Sequence, residues 1–253
     1  MRHWNVSNSK FLSIVVMKTI LLPVAFFLAI SAIPASAKNK ENKIIDNGRV
    51  VSSTSKIAMY DSLGLQQYGL SKKVYELAIK GWQHLKSIGR VVNDNIISIV
   101  DFSQPSNKKR LYIIDLANGQ LLFNTYVAHG KRSGKDVATH FSNRPKSLES
   151  SVGFYVTADP YIGANGYSLR LNGIESGFNS NASRREIVLH GADYVSERYI
   201  SANGYLGRSW GCPAVPLEEC REIIDSIKNG SCLFIYSPQV KYLKSSKVLN
   251  SKV

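Results

Sequence analysis

The chain has 253 residues, with 32 lysines and arginines against 18 acidic residues and a formal net charge of +14. This length allows one domain with a substantial hydrophobic core and leaves little room for a second catalytic domain. The charge indicates an anionic partner. The basic residues do not form one helical stripe with interleaved aromatic residues, so we do not expect a nucleic acid as that partner.

The first 37 residues have the features of a signal peptide. An apolar run at 20–33 follows a basic residue and ends in small residues before Ala37, which is the pattern of a signal peptide with its cleavage site. We expect cleavage near Ala37 and export to the periplasm or cell wall, where an anionic wall surface is the expected partner. A retained membrane anchor is the alternative, and a start at Met1 or at Met17 stays open.

Two segments precede the main domain. Residues 38–70 are predicted as a flexible basic tether, because Lys, Asn, Ser and Asp dominate residues 38–55. Ser71 is a favourable helix N-cap, and apolar residues then recur at helical spacing. Residues 71–94 are therefore predicted as a helical segment.

The domain at 95–238 is predicted to be mainly β (α+β), because the apolar period changes from near 3.6 to near 2. Asn118-Gly119 predicts a hairpin turn, and a late helix is predicted from Pro216 to Asn229-Gly230. Residues 239–253 are predicted as a basic C-terminal tail. The predicted strands are 96–102, 111–116, 121–128, 152–157, 167–171, 186–190 and 232–236.

The three cysteines all lie in the last fifth of the chain. Disulfides persist in exported proteins, so Cys220 and Cys232 are either paired or simply small core residues. Because the chain has an odd number of cysteines, at least one thiol stays unpaired. Cys212 is the cysteine that stays free.

Cys212 lies between Gly211 and Pro213, in a sequence that predicts a stiff, exposed turn. A thiol attacks as the thiolate and needs a base, for which histidine is the usual choice. His190 is the best candidate, because it ends the predicted strand 186–190 and is followed at once by Gly191. Its ring should therefore emerge at a strand end beside a tight turn.

Pro213 has no N–H with which to stabilise a developing oxyanion. We expect the backbone N–H groups of Gly211 and Cys212 to build the oxyanion hole, with the Ser209 hydroxyl as a further donor. Arg208 is placed to bind a substrate carboxylate or to lower the pKa of the thiol.

These residues carry a family resemblance. His190-Gly191, followed 22 positions after the histidine by the cysteine of Ser209-x-Gly211-Cys212, resembles the signature of the L,D-transpeptidase (YkuD-like) catalytic domain. Segments 153–155, 166–171, 190–194 and 207–213 extend the likeness across residues 96–236, to the branch known as the murein L,D-transpeptidase catalytic domain family.

The resemblance implies a β-sandwich-like domain and no metal or cofactor. It implies a Cys212 nucleophile and a His190 base whose second ring nitrogen is held by the backbone or a nearby polar group. Such enzymes take the carbonyl of the third stem residue of peptidoglycan, expel a terminal D-alanine and pass the acyl group to an amine. With water as acceptor the reaction would be that of a carboxypeptidase.

The chain departs from the commoner form of the family at two positions. Trp210 stands where a histidine or another polar residue is usual, and Ala214 stands where an arginine is usual. The substrate contacts that this arginine makes in the family therefore cannot be assigned to this chain. The candidate substrate-binding residues are Arg208, Trp210, Gly191, His129 and Arg170.

Two other interpretations concern the same residues. A zinc site lacks any C-x-x-C or H-E-x-x-H spacing, so we expect no metal. A wall-binding protein that keeps this fold without turnover is the alternative from another functional class. We expect a monomer.

Overall fold

The computed structural model describes residues 56–251. The predicted signal peptide at 1–37 and residues 38–55 of the predicted tether lie outside the described residues. Within 56–251, no helix combines the length and the apolar character needed to cross a membrane.

Eight strands form one mixed sheet. They are β1 (Ile96–Asp101), β2 (Leu111–Asp115), β3 (Gln120–Thr125), β4 (Gly153–Gly163), β5 (Gly166–Gly173), β6 (Val188–Ala192), β7 (Ala214–Pro216) and β8 (Cys232–Tyr236). Their order across the sheet is β3-β2-β1-β8-β4-β5-β6-β7. The pairs β1–β8 and β6–β7 are parallel, and the other pairs are antiparallel.

The central strands bury both faces, which explains why β1 and β8 are almost continuously apolar. Helix α2 (Lys72–Ser87) packs on one face, together with Phe154 and Phe234. Helix α4 (Cys220–Ile227) packs on the other face, together with Leu189 and Leu233. Alternate residues of each strand therefore belong to two separate cores.

The sheet curls until its two edges meet. The backbone N–H of Ala128, three residues beyond the end of β3, donates to the carbonyl of Ala214 in β7 at 2.8 Å. The predicted mainly β, α+β class is confirmed, and the sandwich-like layering takes the form of one curled sheet. This closure brings residues 126–130 beside the chain that leads from Cys212 into β7.

The predicted tether at 38–70 is wrong for its last part. Residues 56–62 are helical (α1), and Leu65–Tyr68 form a 3₁₀ turn. Tyr60, Leu65 and Leu70 are buried in the core that contains α2. This segment folds because its few apolar side chains pack against α2.

The predicted C-terminal tail is also wrong. Val240–Ser245 form helix α5, in which Tyr242 is fully buried. Its hydroxyl donates to Glu175 Oε2 at 2.8 Å, and the Ser246 hydroxyl donates to the other oxygen of the same carboxylate. The buried Glu175 carboxylate thus holds the C-terminal segment in place, although its composition alone predicts a solvated tail.

The late helix begins at Cys220 rather than Pro216. Residues Ala214–Pro216 form β7 instead, because they pair with β6. A short helix, α3 (Glu197–Asn203), lies in a region that was not predicted to be helical.

All three cysteines are free. Cys220 lies in the core around α4, whereas Cys232 lies in the core around α2. The sheet separates these two cores, so the Cys220–Cys232 disulfide left open by the sequence does not form.

Candidate active site

His190 lies in the middle of β6, paired with Ser168 on one side and Ala214 on the other. The predicted position at a strand end beside a tight turn is therefore wrong, since Gly191 continues the strand. The Nδ1 atom of His190 lies 2.9 Å from the carbonyl oxygen of Gly191. A carbonyl only accepts, so this contact places the ring proton on Nδ1 and leaves Nε2 free of a proton.

The imidazole of His190 is buried, with 5% of the residue exposed. Burial lowers its pKa below the usual value, while the Gly191 carbonyl acts in the opposite direction. His190 is therefore neutral at physiological pH, which is the state a general base needs.

Cys212 lies in a turn that requires glycine before it. Gly211 has φ +131°, and a Cβ there would lie 2.8 Å from the carbonyl oxygen of Glu149. The Cys212 Sγ accepts from the Val188 N–H at 3.5 Å and lies 3.6 Å from the carbonyl oxygen of Glu186. The thiol is thus held against the start of β6.

The pairing of β6 with β7 brings the turn that carries Cys212 towards His190. His190 pairs with Ala214, two residues after Cys212, and the Cys212 Sγ contacts the N–H of Val188, two residues before His190. Cys212 itself precedes β7 and packs against the core that contains Leu189. Within residues 56–251, the side chains of Cys212 and His190 are not hydrogen-bonded to each other.

Ser209 closes the turn from inside. Its hydroxyl accepts from the Gly211 N–H at 3.0 Å and donates to the Cys212 carbonyl at 2.6 Å. The predicted oxyanion donors Gly211 N–H and Ser209 Oγ are therefore occupied, and this part of the prediction is wrong. The Cys212 N–H is not used by these bonds, so it is the backbone donor that the turn leaves for an oxyanion.

A model of the L,D-transpeptidase catalytic domain matches residues 66–236. The chain belongs to the L,D-transpeptidase catalytic domain family. No curated protein matches it.

Two solved L,D-transpeptidase structures and one structure of a cell shape determining protein resemble the chain only distantly. One from Mycobacterium smegmatis is 10% identical, covers 56% of this chain and 59% of its own, and has a TM-score of 0.36. One from Mycobacterium tuberculosis is 15% identical, with 56% and 58% covered and a TM-score of 0.34. The helical cell shape determining protein Pgp2 from Campylobacter jejuni, as a mutant, is 11% identical, with 63% and 56% covered and a TM-score of 0.37. The chain thus spans less than two thirds of each of these proteins, and no residue role is transferred from them.

In this L,D-transpeptidase domain, His129 is not a cleft residue. It is fully buried, where Arg110 Nη2 donates to its Nδ1 at 2.8 Å and its Nε2 faces the Gly134 carbonyl at 3.2 Å. Burial and the Arg110 charge lower its pKa to about 4. The predicted substrate contact of His129 is wrong, because the ring has no path to solvent and both nitrogens have partners.

Gly191 does not face a substrate either. A Cβ at this position would lie 2.9 Å from the Cys220 Cβ and 3.0 Å from Leu217 Cδ1. Gly191 therefore allows the N-terminal part of α4 to pack closely on β6. Its connection to the chemistry is the carbonyl that holds His190.

The other three candidate substrate residues are accessible to a ligand. Trp210 is 78% exposed beside the Cys212 turn. Arg170 is exposed, pairs with Val188 across β5 and β6, and stacks over the Tyr161 ring at 4.1 Å. Arg208 is half-buried and its Nη1 donates to the Gly134 carbonyl at 3.4 Å.

Arg170 also lines a cleft that includes two residues contacted by the thiol. The cleft has a volume of about 420 Å³, and Tyr161, Glu186 and Val188 are among its other lining residues. The Val188 nitrogen and the Glu186 carbonyl oxygen are the two backbone atoms next to Cys212 Sγ, so the cleft and the thiol share these two neighbours.

Two residues of the site were missed in the sequence. The Ser150 hydroxyl accepts from the Gly130 N–H at 2.9 Å and donates to the Gly211 carbonyl at 3.2 Å. The Arg185 guanidinium lies 3.2 Å from the position that a Gly211 Cβ would occupy. No spacing rule links 150 or 185 to 211, and the one available signal was the position of Arg185 just before the histidine strand.

Proposed function

We propose that this protein is an exported cysteine acyltransferase that acts on peptidoglycan stem peptides. Cys212 is the nucleophile and His190 is the base. The acyl group of the stem peptide passes through a thioester on Cys212 to an amine, which makes the reaction an L,D-transpeptidation.

The arrangement of His190 carries this proposal. Its Nδ1 is held by the Gly191 carbonyl at 2.9 Å, so Nε2 is the nitrogen that can take a proton. The ring lies on β6, which pairs with the strand that begins two residues after Cys212. A base with a fixed tautomer beside a thiol in a rigid turn is the arrangement that nucleophilic acyl transfer needs.

The chemistry proceeds in two balanced steps. The Cys212 thiol gives its proton to His190 Nε2 while sulfur bonds to the peptide carbonyl carbon, and the oxyanion accepts from the Cys212 N–H. The C–N bond then breaks, and the leaving D-alanine amine takes the proton from His190. In the second step an acceptor amine bonds to the thioester carbon, one of its protons passes to His190, the C–S bond breaks, and His190 returns the proton to the sulfur to restore the thiol.

Two arginines and one aromatic side chain support an anionic substrate. Arg170 and Arg208 are cationic, and Trp210 offers an exposed aromatic surface. The net charge of +14 favours binding to an anionic wall, and the signal-peptide pattern of residues 1–37 favours export. We propose that the enzyme works as a monomer with no nucleic-acid partner.

The test uses purified protein, its Cys212→Ala variant and isolated tetrapeptide muropeptides, with products read by mass spectrometry. Cross-linked dimers or exchanged C-terminal residues, absent with the variant, are the expected result. Equal product from the variant would exclude the thiol as nucleophile.

Two alternatives give different products in the same experiment. Tripeptides without cross-links would identify an L,D-carboxypeptidase that uses water as acceptor. Sacculi that bind the protein but keep their muropeptides unchanged would identify a wall-binding protein without turnover.

A further inference from the structure

The Arg185 guanidinium is held by neutral groups. Its Nη1 donates to the Ser142 carbonyl at 2.5 Å and to the Ser151 hydroxyl, and its Nη2 donates to the Glu149 carbonyl at 2.6 Å and to the Ser147 hydroxyl at 3.1 Å. None of the three ion pairs within residues 56–251 involves Arg185. Its positive charge is therefore fixed in place with no carboxylate among its hydrogen-bond partners.

This charge lies beside the catalytic turn. The Glu149 carbonyl that accepts from Arg185 is also 2.8 Å from the Gly211 Cβ position, and Nη2 itself is 3.2 Å from that position. Burial raises the pKa of Cys212, whereas the Val188 N–H and the Arg185 charge lower it. In turn, burial lowers the pKa of Arg185, whereas the anionic forms of Tyr155 and Cys212 and the Glu149 carboxylate raise it.

The other titratable groups around the thiol do not supply this charge. Glu186 raises the pKa of Cys212. Burial raises the pKa of Tyr155 and raises that of Tyr194 to about 12, so both phenols are neutral at physiological pH. His190 is neutral as well, because burial lowers its pKa.

We propose that Arg185 is a positioning residue that favours the thiolate of Cys212 through its fixed charge and braces the turn that carries it. The inference rests on the proposed role of Cys212 as nucleophile. The sulfur then has a cationic neighbour from outside the cysteine–histidine pair, and this charge stabilises the thiolate that forms when His190 takes the proton of Cys212.

The test measures the thiol without substrate. Full-length protein is treated with iodoacetamide between pH 5 and 10, and alkylation of Cys212 is followed by mass spectrometry. Cys220 and Cys232 are buried, so they serve as internal references for unfolding. Arg185→Gln is expected to shift the alkylation profile to higher pH and to slow alkylation at pH 7 about tenfold, since a tenfold loss of thiolate corresponds to one pKa unit.

Matched variants separate charge from bracing. Arg185→Lys keeps the charge and is expected to stay within about threefold of wild type. Arg184→Gln removes the neighbouring exposed arginine and is expected to change nothing. Ser147→Ala and Ser151→Ala remove partners of the guanidinium but keep its charge, so their profiles should overlay that of wild type.

The proposal is overturned if Arg185→Gln has the wild-type profile, or if the two serine variants shift the profile as far as Arg185→Gln does. If Cys220 or Cys232 is alkylated in Arg185→Gln, that variant is unfolded. The alkylation profiles of Arg185→Lys, Ser147→Ala and Ser151→Ala then test the proposal. Alkylation involves no acyl transfer, so failure of this proposal leaves the muropeptide test of the proposed function unaffected.

Discussion

The Gly191 carbonyl accepts a hydrogen bond from the Nδ1 of His190, the residue just before it in the same strand, at 2.9 Å. Catalytic histidines are often held by a carboxylate from elsewhere in the chain. Here neither Asp193 nor Tyr194 is hydrogen-bonded to the ring within residues 56–251. A strand backbone alone therefore sets the tautomer, which leaves the ring neutral rather than paired with an anion.

This neutral histidine predicts the acid limb of the pH profile. The base must be unprotonated, so acylation of Cys212 by a carbapenem should fall as the pH drops through the pKa of His190. Burial lowers that pKa, so the midpoint should lie below the usual value of about 6.5. The measurement is the acylation rate by mass spectrometry from pH 4 to 8. A midpoint above 7, or an unchanged acid limb in His190→Asn, would contradict the assignment.

Gly211→Ala should impair the enzyme without preventing folding. The added methyl group meets the Glu149 carbonyl at 2.8 Å at a φ of +131°, which we expect to lower the free energy of unfolding by about 2 kcal/mol and the acylation rate by about 100-fold, the effect of a displaced nucleophile. Gly204→Ala is the control, since its φ is +82° but nothing lies within 4 Å. Equal activity loss in both variants would show that strain, not the position of the thiol, is responsible.

Trp210→Ala should alter substrate binding but not stability. The side chain is 78% exposed, so its loss should change the free energy of unfolding by less than about 0.5 kcal/mol. We expect KM for muropeptides to rise at least about fivefold with a smaller change in kcat. Val92→Ala removes another exposed apolar side chain, 81% exposed, and should leave both constants unchanged. An unaltered KM in Trp210→Ala would remove Trp210 from the substrate site.

His129 should act on stability rather than on substrate. Its pKa is lowered to about 4 by burial and by Arg110, whereas in the unfolded chain it is near 6.5. The unfolded state therefore binds more protons between these values, so stability is lost as the pH falls from about 6.5 to about 4, by on the order of 3 kcal/mol.

Urea unfolding at several pH values checks this prediction. His129→Gln should lower stability at pH 7 and remove part of the loss between pH 6.5 and 4, while KM stays near wild type. His140→Gln, an exposed histidine in the same loop, is the control and should behave as wild type. A selective rise in KM for His129→Gln would restore the substrate role that the burial excludes.

Tyr242→Phe should loosen the C-terminal helix. It removes the hydroxyl that donates to the buried Glu175 carboxylate at 2.8 Å, and hydrogen bonds to charged groups contribute about 2 kcal/mol. Burial raises the pKa of Glu175, so the loss should be larger at pH 8 than at low pH, where the carboxyl group is protonated. Thermal unfolding at both pH values measures it. Tyr68→Phe, at a residue that is 49% exposed, should have no effect at either pH.

Much of the fold could be predicted from local periodicity. The strand at 232–236 was predicted with its observed bounds, and α2 was found from its Ser71 cap, whose hydroxyl accepts from the Val74 N–H at 3.3 Å. Short elements such as β7 and α1 were missed. They have too few residues to show a period, and they form because a neighbour covers them.

The candidate site divides in the same way. The residues around Cys212 identified the turn and its glycine, because Gly-Cys-Pro restricts its own backbone. His129 looked like Cys212 and His190, a reactive side chain near a loop, but the closure of the sheet buries it. Arg170 and Arg208 could not be ranked by sequence, since exposure depends on distant segments.

The sequence by itself determined the alternation of apolar residues, the stiffness of the cysteine turn and the family to which the chain belongs. These are properties of neighbouring residues and of their order. Only the tertiary structure decided that the Ser209 hydroxyl and the Gly211 N–H are hydrogen-bonded within the turn, and that Arg185 lies beside Gly211. The reason is that hydrogen bonds and charges act through space, between groups that are brought together only when the strands pair.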